Sequence, residues 1–148
     1  MSDLEDPFIP LPQEALMLNV KEDRERIDIF LDKLITMYYN ESRGKLPFQT
    51  CQGSAMSACL QLLKGTGGRV MVFSANSCMK GVGLLKSRDK ALSYNKPEEA
   101  QLFQHTNDHE YYRKLCLQAL ESNVTFDLYF GVKQNLESID LASVNKAV

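Results

Sequence analysis

Arg69-Val70-Met71-Val72-Phe73-Ser74 is a short, almost unbroken apolar run, and Gly65-Thr66-Gly67-Gly68 stands directly before it. A run of this kind fits a β-strand covered on both faces, as strands are in parallel α/β sheets. Upstream, the glycines close a helix expected from about Gly53 to Leu63, where Met56, Cys59, Leu60 and Leu63 repeat at i, i+3, i+4 and i+7. Downstream, Val124-Thr125-Phe126-Asp127-Leu128-Tyr129-Phe130 is a second strand ending at Gly131. Before it, Asn107-Asp108-His109-Glu110 has the form of a capping box, and the helix behind it is expected to bury Tyr112, Leu115, Cys116, Ala119 and Leu120.

Further out, Ile27, Phe30, Leu31, Leu34 and Tyr38 share one face of a helix expected from Glu22 to about Asn40. The turn residues Asn40 to Lys45 and then Pro47 end it. The opening Asp6-Pro7-Phe8-Ile9-Pro10-Leu11-Pro12 carries three of the chain's five prolines. Proline lacks an amide donor and biases its predecessor toward extended geometry, so residues 1–20 form an extended Pro-rich arm whose apolar side chains lie across a core. Residues 21–148 carry the remaining elements, with Ile139-Asp140-Leu141-Ala142-Ser143-Val144 starting a last helix. Helix, strand, helix, strand, helix is the grammar of a doubly wound α/β sheet. An open parallel sheet normally has four or more strands, so the chain reads as a piece of a larger domain.

The 148 residues carry 17 Lys plus Arg against 19 Asp plus Glu, a net charge of −2. That balance argues against nucleic acid as a partner. The four cysteines, Cys51, Cys59, Cys78 and Cys116, lack C-x-x-C spacing, which disfavours a structural zinc site. The acidic N-terminus is unlike a signal peptide, and no apolar run approaches a membrane span, so a cytosolic setting is expected.

Catalytic patterns are weak. His105 and His109 are four apart, but the residue three after Glu110 is Arg113, so no H-E-x-x-H zinc motif forms. Lys64-Gly65-Thr66-Gly67-Gly68-Arg69 superficially suggests a phosphate loop, but it ends a helix rather than opening one. No fixed spacing joins a cysteine to a histidine, and the chain is read as non-enzymatic. Asn40-Glu41-Ser42 and Asn123-Val124-Thr125 match glycosylation acceptors and are read as coincidences. The irregular segment from Asn76 to Asn95 is long for a compact domain, a mark of functional loops. Within it Lys80, Lys86 and Arg88 are candidate contacts for acidic peptides or anionic lipid heads.

The order of these segments resembles the trunk of the COPII inner-coat subunits, a domain with a von Willebrand A-like fold. Asp6 to Pro12 is similar to the family's D-x-F-(V/I)-P-x-P, Leu16-Met17-Leu18-Asn19-Val20 to L-L-V-N-L, and Gly53 to Ala58 to G-A-A-L-x-A. Gly67 to Phe73 resembles G-G-K-(V/I)-x-x-F, and Met79 to Asp89 resembles P-T-x-G-P-G-x-L-x-x-R-E. Tyr111 to Leu115 resembles F-Y-K-x-L, Phe126 to Phe130 resembles V-D-L-F, and Ile139 to Val144 resembles the Y-x-D-L-A-S-L of the cargo adaptor. Ser77-Cys78-Met79 stands where the family has Leu-Pro-Thr, and Val82 replaces a proline.

The resemblance implies an α/β, Rossmann-type open sheet flanked by helices, here the C-terminal part of a trunk. It implies a cargo adaptor in endoplasmic reticulum to Golgi transport, acting on the cytosolic face of the endoplasmic reticulum membrane and in the vesicle coat. The implied partners are the sister inner-coat subunit, cargo export signals and SNARE-type cargo, and the membrane surface. A structural zinc is expected only in a zinc finger upstream. Ligand-binding von Willebrand A domains hold magnesium through D-x-S-x-S, a threonine and an aspartate; Thr50 matches the threonine, Ala75 stands at the aspartate position, and no D-x-S-x-S occurs. Alternatives are the GTPase-activating sister subunit and a metal-dependent adhesion domain. A sheet without its first strands has a bare edge, so the isolated chain is expected to self-associate.

Overall fold

The computed structural model describes residues 4–41, 50–74, 78–85, 95–102 and 109–131. The chain divides into two compact units, one of Ile9–Phe48 and one of Met1–Phe8 with Gln49–Val148.

The smaller unit holds α1 (Gln13–Leu16) and α2 (Arg24–Glu41). Pro12 precedes α1 with φ −63°, a value its ring fixes, and the helix stops after one turn. The one-turn helix α1 thus interrupts the arm that the sequence reading takes as extended through residue 20. The Asn19–Asp23 turn launches α2: the Asn19 amide donates to Asp23 Oδ2 at 3.1 Å, and the Ile27 amide to the Asp23 carbonyl at 3.0 Å. Arg24 pairs with Asp28 one turn on, at 3.1 Å and exposed, so it adds only a few tenths of a kcal/mol (about 0.3–0.5).

The larger unit holds α3 (Gln52–Leu63), β1 (Gly68–Ser74), α4 (Glu99–Leu102), α5 (His109–Glu121) and β2 (Val124–Phe130). α3 ends as the glycine run predicts, with the Thr66 and Gly67 amides both donating to the Leu63 carbonyl at 3.1 and 2.8 Å. β1 and β2 pair in parallel, Gly68 opposite Val124 through Ser74 opposite Phe130. Since α5 lies between them in the chain, the pair is a β–α–β unit, the connection parallel strands require. Met56, Leu60 and Leu63 of α3, Tyr112, Leu115 and Ala119 of α5, and Val124 and Phe126 of β2 form one buried cluster, and Val70, Val72 and Leu128 pack against it. Fully burying each large side chain stabilises the fold by about 1.5–3 kcal/mol.

Three expectations need correction. The apolar run is not covered on both faces: Val70 and Val72 face the helices, while Met71 and Phe73 on the other face are 60% and 73% exposed. Among the described residues the helices that meet the sheet, α3 and α5, belong to the same core, and a continuous apolar run does not reveal this. Leu120 is exposed rather than buried. On α5 the stripe Tyr112–Leu115–Ala119 sets the buried face, and Leu120 lies a 100° step off it at the last turn. Cys116 is half-buried. α4, a single turn, has no counterpart in the sequence reading. His105, Asn107, Asp108, Ala75 and the helix expected at 139–144 lie outside the described residues.

Candidate functional site

The described part of the basic loop, residues 78–85, sits against the N-terminal end of α3 and the tyrosines of α5. Its backbone is fixed at both ends. The Met79 and Lys80 amides donate to the Thr50 carbonyl at 2.8 and 3.0 Å, and the Leu85 amide closes the loop on the Cys78 carbonyl at 3.0 Å. Between these points the Tyr112 hydroxyl donates to the Gly83 carbonyl at 2.8 Å. Cys78 Sγ lies 3.4 Å from the Lys80 carbonyl and 3.6 Å from that of Val82. Both Cys78 and Tyr112 have no exposed surface, and they face these part-buried carbonyls with a thiol and a hydroxyl. Gly83 adopts φ +72° with the Tyr111 ring 2.7 Å from where a Cβ would stand. A side chain there would collide with the tyrosine that braces the loop.

Tyr111, on the same helix, donates to the Gly53 carbonyl of α3 at 2.9 Å, and its ring meets Tyr112 edge-on with centroids 5.3 Å apart. Burial, with Cys78 beside it, pushes the Tyr112 phenol well above the usual tyrosine range. Burial also raises Tyr111, partly offset by its hydrogen bond with Ser57. Both phenols therefore remain donors throughout the neutral range. Leu4 and Pro7, of the same unit, join this assembly, since Ser54 donates to the Leu4 carbonyl and Gln61 to the Pro7 carbonyl, the latter at 2.8 Å.

The inward-facing carbonyls leave Met79, Lys80 and Leu84 exposed. Of the three predicted cations, the structure places Lys80 on this surface; Lys86 and Arg88 lie outside the described residues. Thr50, matched to a magnesium ligand by sequence, contributes its carbonyl to the loop. No group of three or more His, Cys, Asp or Glu side chains gathers as a metal site among the described residues. Cys59 and Cys116 have thiols raised by burial, the opposite of an activated nucleophile. The bracing role of Tyr111 and Tyr112 was not read from sequence; two adjacent tyrosines carried a signal only in combination with the distant Gly53 and Gly83.

A second exposed feature is the uncovered face of the sheet. Phe73 stacks on Tyr129 with centroids 4.8 Å apart, and Arg69 pairs with Asp127 at 3.4 Å. At the carboxyl ends of the strands Phe73, Ser74, Leu128, Tyr129, Phe130 and Gly131 line an open concavity. No described helix is long and apolar enough to cross a membrane.

A family model described as the Sec23/Sec24 trunk domain matches residues 1–148. The chain is 30% identical over 144 residues to the protein transport protein SEC24 of Pyricularia oryzae, covering 97% of this chain and 14% of that one. It is 32% identical over 146 residues to human Sec24A, covering 99% of this chain and 13% of that one. The crystal structure of the human COPII-coat protein Sec24c superposes with a TM-score of 0.80 at 25% identity, over 99% of this chain and 19% of that one. The chain thus spans about one seventh of the length of these curated relatives.

Proposed function

The chain belongs to the Sec23/Sec24 trunk domain family, and from that premise we propose that it serves as the trunk part of a COPII cargo adaptor in vesicle transport from the endoplasmic reticulum. The observation that carries the reading is the likeness along nearly the whole chain to proteins named SEC24 and Sec24A and to the structure of Sec24c. The sequence Ile139-Asp140-Leu141-Ala142-Ser143-Val144 adds weight to the adaptor over its GTPase-activating sister. The role is non-enzymatic: the chain pairs with the sister subunit through its trunk and helps select export signals and SNARE-type cargo on the cytosolic face of the membrane. The fold is the later part of a von Willebrand A-like sheet, supported by the parallel β–α–β unit.

Within this role Lys80, with Lys86 and Arg88, receives acidic peptide or anionic lipid groups. The exposure of Lys80 on a braced loop supports that assignment. The test is co-purification of the tagged chain with isolated Sec23-type and Sec24-type subunits. Retention of the Sec23-type subunit alone is expected; retention of the Sec24-type subunit alone would reassign the chain to the GTPase-activating sister, and retention of neither would overturn the pairing. Replacing Lys80, Lys86 and Arg88 with alanine is expected to lower binding to acidic vesicles, and unchanged binding removes the loop assignment.

A further inference from the structure

Loop 78–85 is short and irregular, yet one of its carbonyls has a partner supplied by the core and two more face a buried thiol of the loop itself. The Gly83 carbonyl accepts from Tyr112 at 2.8 Å, and the Lys80 and Val82 carbonyls face the Cys78 sulfur at 3.4 and 3.6 Å. Tyr112 is itself a member of the cluster formed with Met56, Leu60 and Leu115. The loop conformation is therefore tied to the packing of α5 through one hydroxyl, and the buried Cys78 thiol braces the loop from within. Few of its other bonds reach the core: Met79, Lys80 and Leu85 donate to carbonyls of Thr50 and Cys78, at or within the loop's own base. If the hydroxyl is removed, the part-buried Gly83 carbonyl loses its donor, and opening the loop to water becomes less costly.

We infer that Tyr112 and Cys78 form a two-point latch that holds loop 78–85 in one conformation and so presets the position of Lys80. They are positioning residues, and the functional meaning of the latch rests on the proposed role of Lys80 in binding. A preset loop loses little conformational freedom when it meets a partner, and that cost otherwise subtracts directly from affinity. The latch also explains why both groups are wholly buried although the loop they hold is at the surface.

The experiment compares the full chain with Tyr112→Phe, Cys78→Ala and the double variant, by hydrogen exchange and by peptide-resolved iodoacetamide labelling. Tyr112→Phe keeps the ring in the core and removes only the donor. The Met79, Lys80 and Leu85 amides are expected to exchange roughly tenfold faster, while the amides of β2 keep the wild-type rate. Labelling of Cys78 is expected to accelerate by a similar factor, because the thiol is reached only when the loop opens. Exchange in the loop that is unchanged, or that rises no more than in β2, overturns the latch. Should Tyr112→Phe fail to fold, Cys78→Ala gives the same loop-confined readout through the Lys80 and Val82 carbonyls. Binding to acidic vesicles separates the two ideas: a loosened loop with unaltered binding upholds the latch and removes the binding role of Lys80.

Discussion

A Cβ built on Gly53 would stand 2.2 Å from the Val82 carbonyl oxygen and 3.1 Å from the Tyr111 ring. The nearer obstacle is backbone, which cannot rotate aside, so α3 and loop 78–85 approach each other only through a glycine. Gly53→Ala is expected to cost about 3 kcal/mol, measured by urea denaturation; a loss below half of that means the loop moves freely. Tyr112 makes a second residue-scale prediction. Its folded-state affinity for a proton exceeds that of an exposed tyrosine, so above about pH 10 the unfolded chain releases a proton that the folded chain keeps. Stability from this group is present below that pH and falls as pH rises beyond it. Thermal melts from pH 9 to 11 should show a steeper decline for the wild type than for Tyr112→Phe. Parallel slopes would show that the phenol is not held protonated by burial. Neither effect was legible in the sequence, where Gly53 marked only the turn into a helix and Tyr112 only an apolar stripe.

At the scale of elements, the two faces of the sheet differ sharply in what a substitution costs. Leu115 of α5 is 3% exposed within the cluster under β1 and β2. Leu115→Ala removes buried surface and leaves a cavity, with an expected loss of about 2–5 kcal/mol. Phe73 on the opposite face is mostly exposed and rests against Tyr129. Phe73→Ser gives up an exposed aromatic pair and is expected to cost about 1 kcal/mol. Equal losses in chemical denaturation would contradict a one-sided core. The longer helices were legible because their apolar period comes from the local geometry of 3.6 residues per turn, and β1 was legible as a short apolar run bounded by glycines. One-sided coverage was not legible, since Val70, Met71, Val72 and Phe73 are all apolar and give no alternation. α4 was missed because a four-residue helix is too short to display a period.

For the whole molecule, the described sheet consists of the parallel pair β1 and β2, and each strand has one edge with no described neighbour. Backbone groups on such edges template pairing with another chain. Light scattering at increasing concentration should therefore give masses above the 16.8 kDa of one chain. A constant monomer mass would count against edge pairing. The order of α2, α3, β1, α5 and β2, the parallel pairing of the two strands and the family resemblance were all present in the sequence alone, because helix periods, short apolar runs, helix stops and short motifs are local and survive without knowledge of the partner surfaces. Lys80 could be named from charge, though not its surroundings. The tertiary structure alone decided which face of the sheet is covered, that Leu120 is exposed, and that Gly53, Tyr111 and Tyr112 converge on one loop. These contacts join residues about 29 and 58 positions apart, and their meaning depends on distances and burial that arise only when the core has packed.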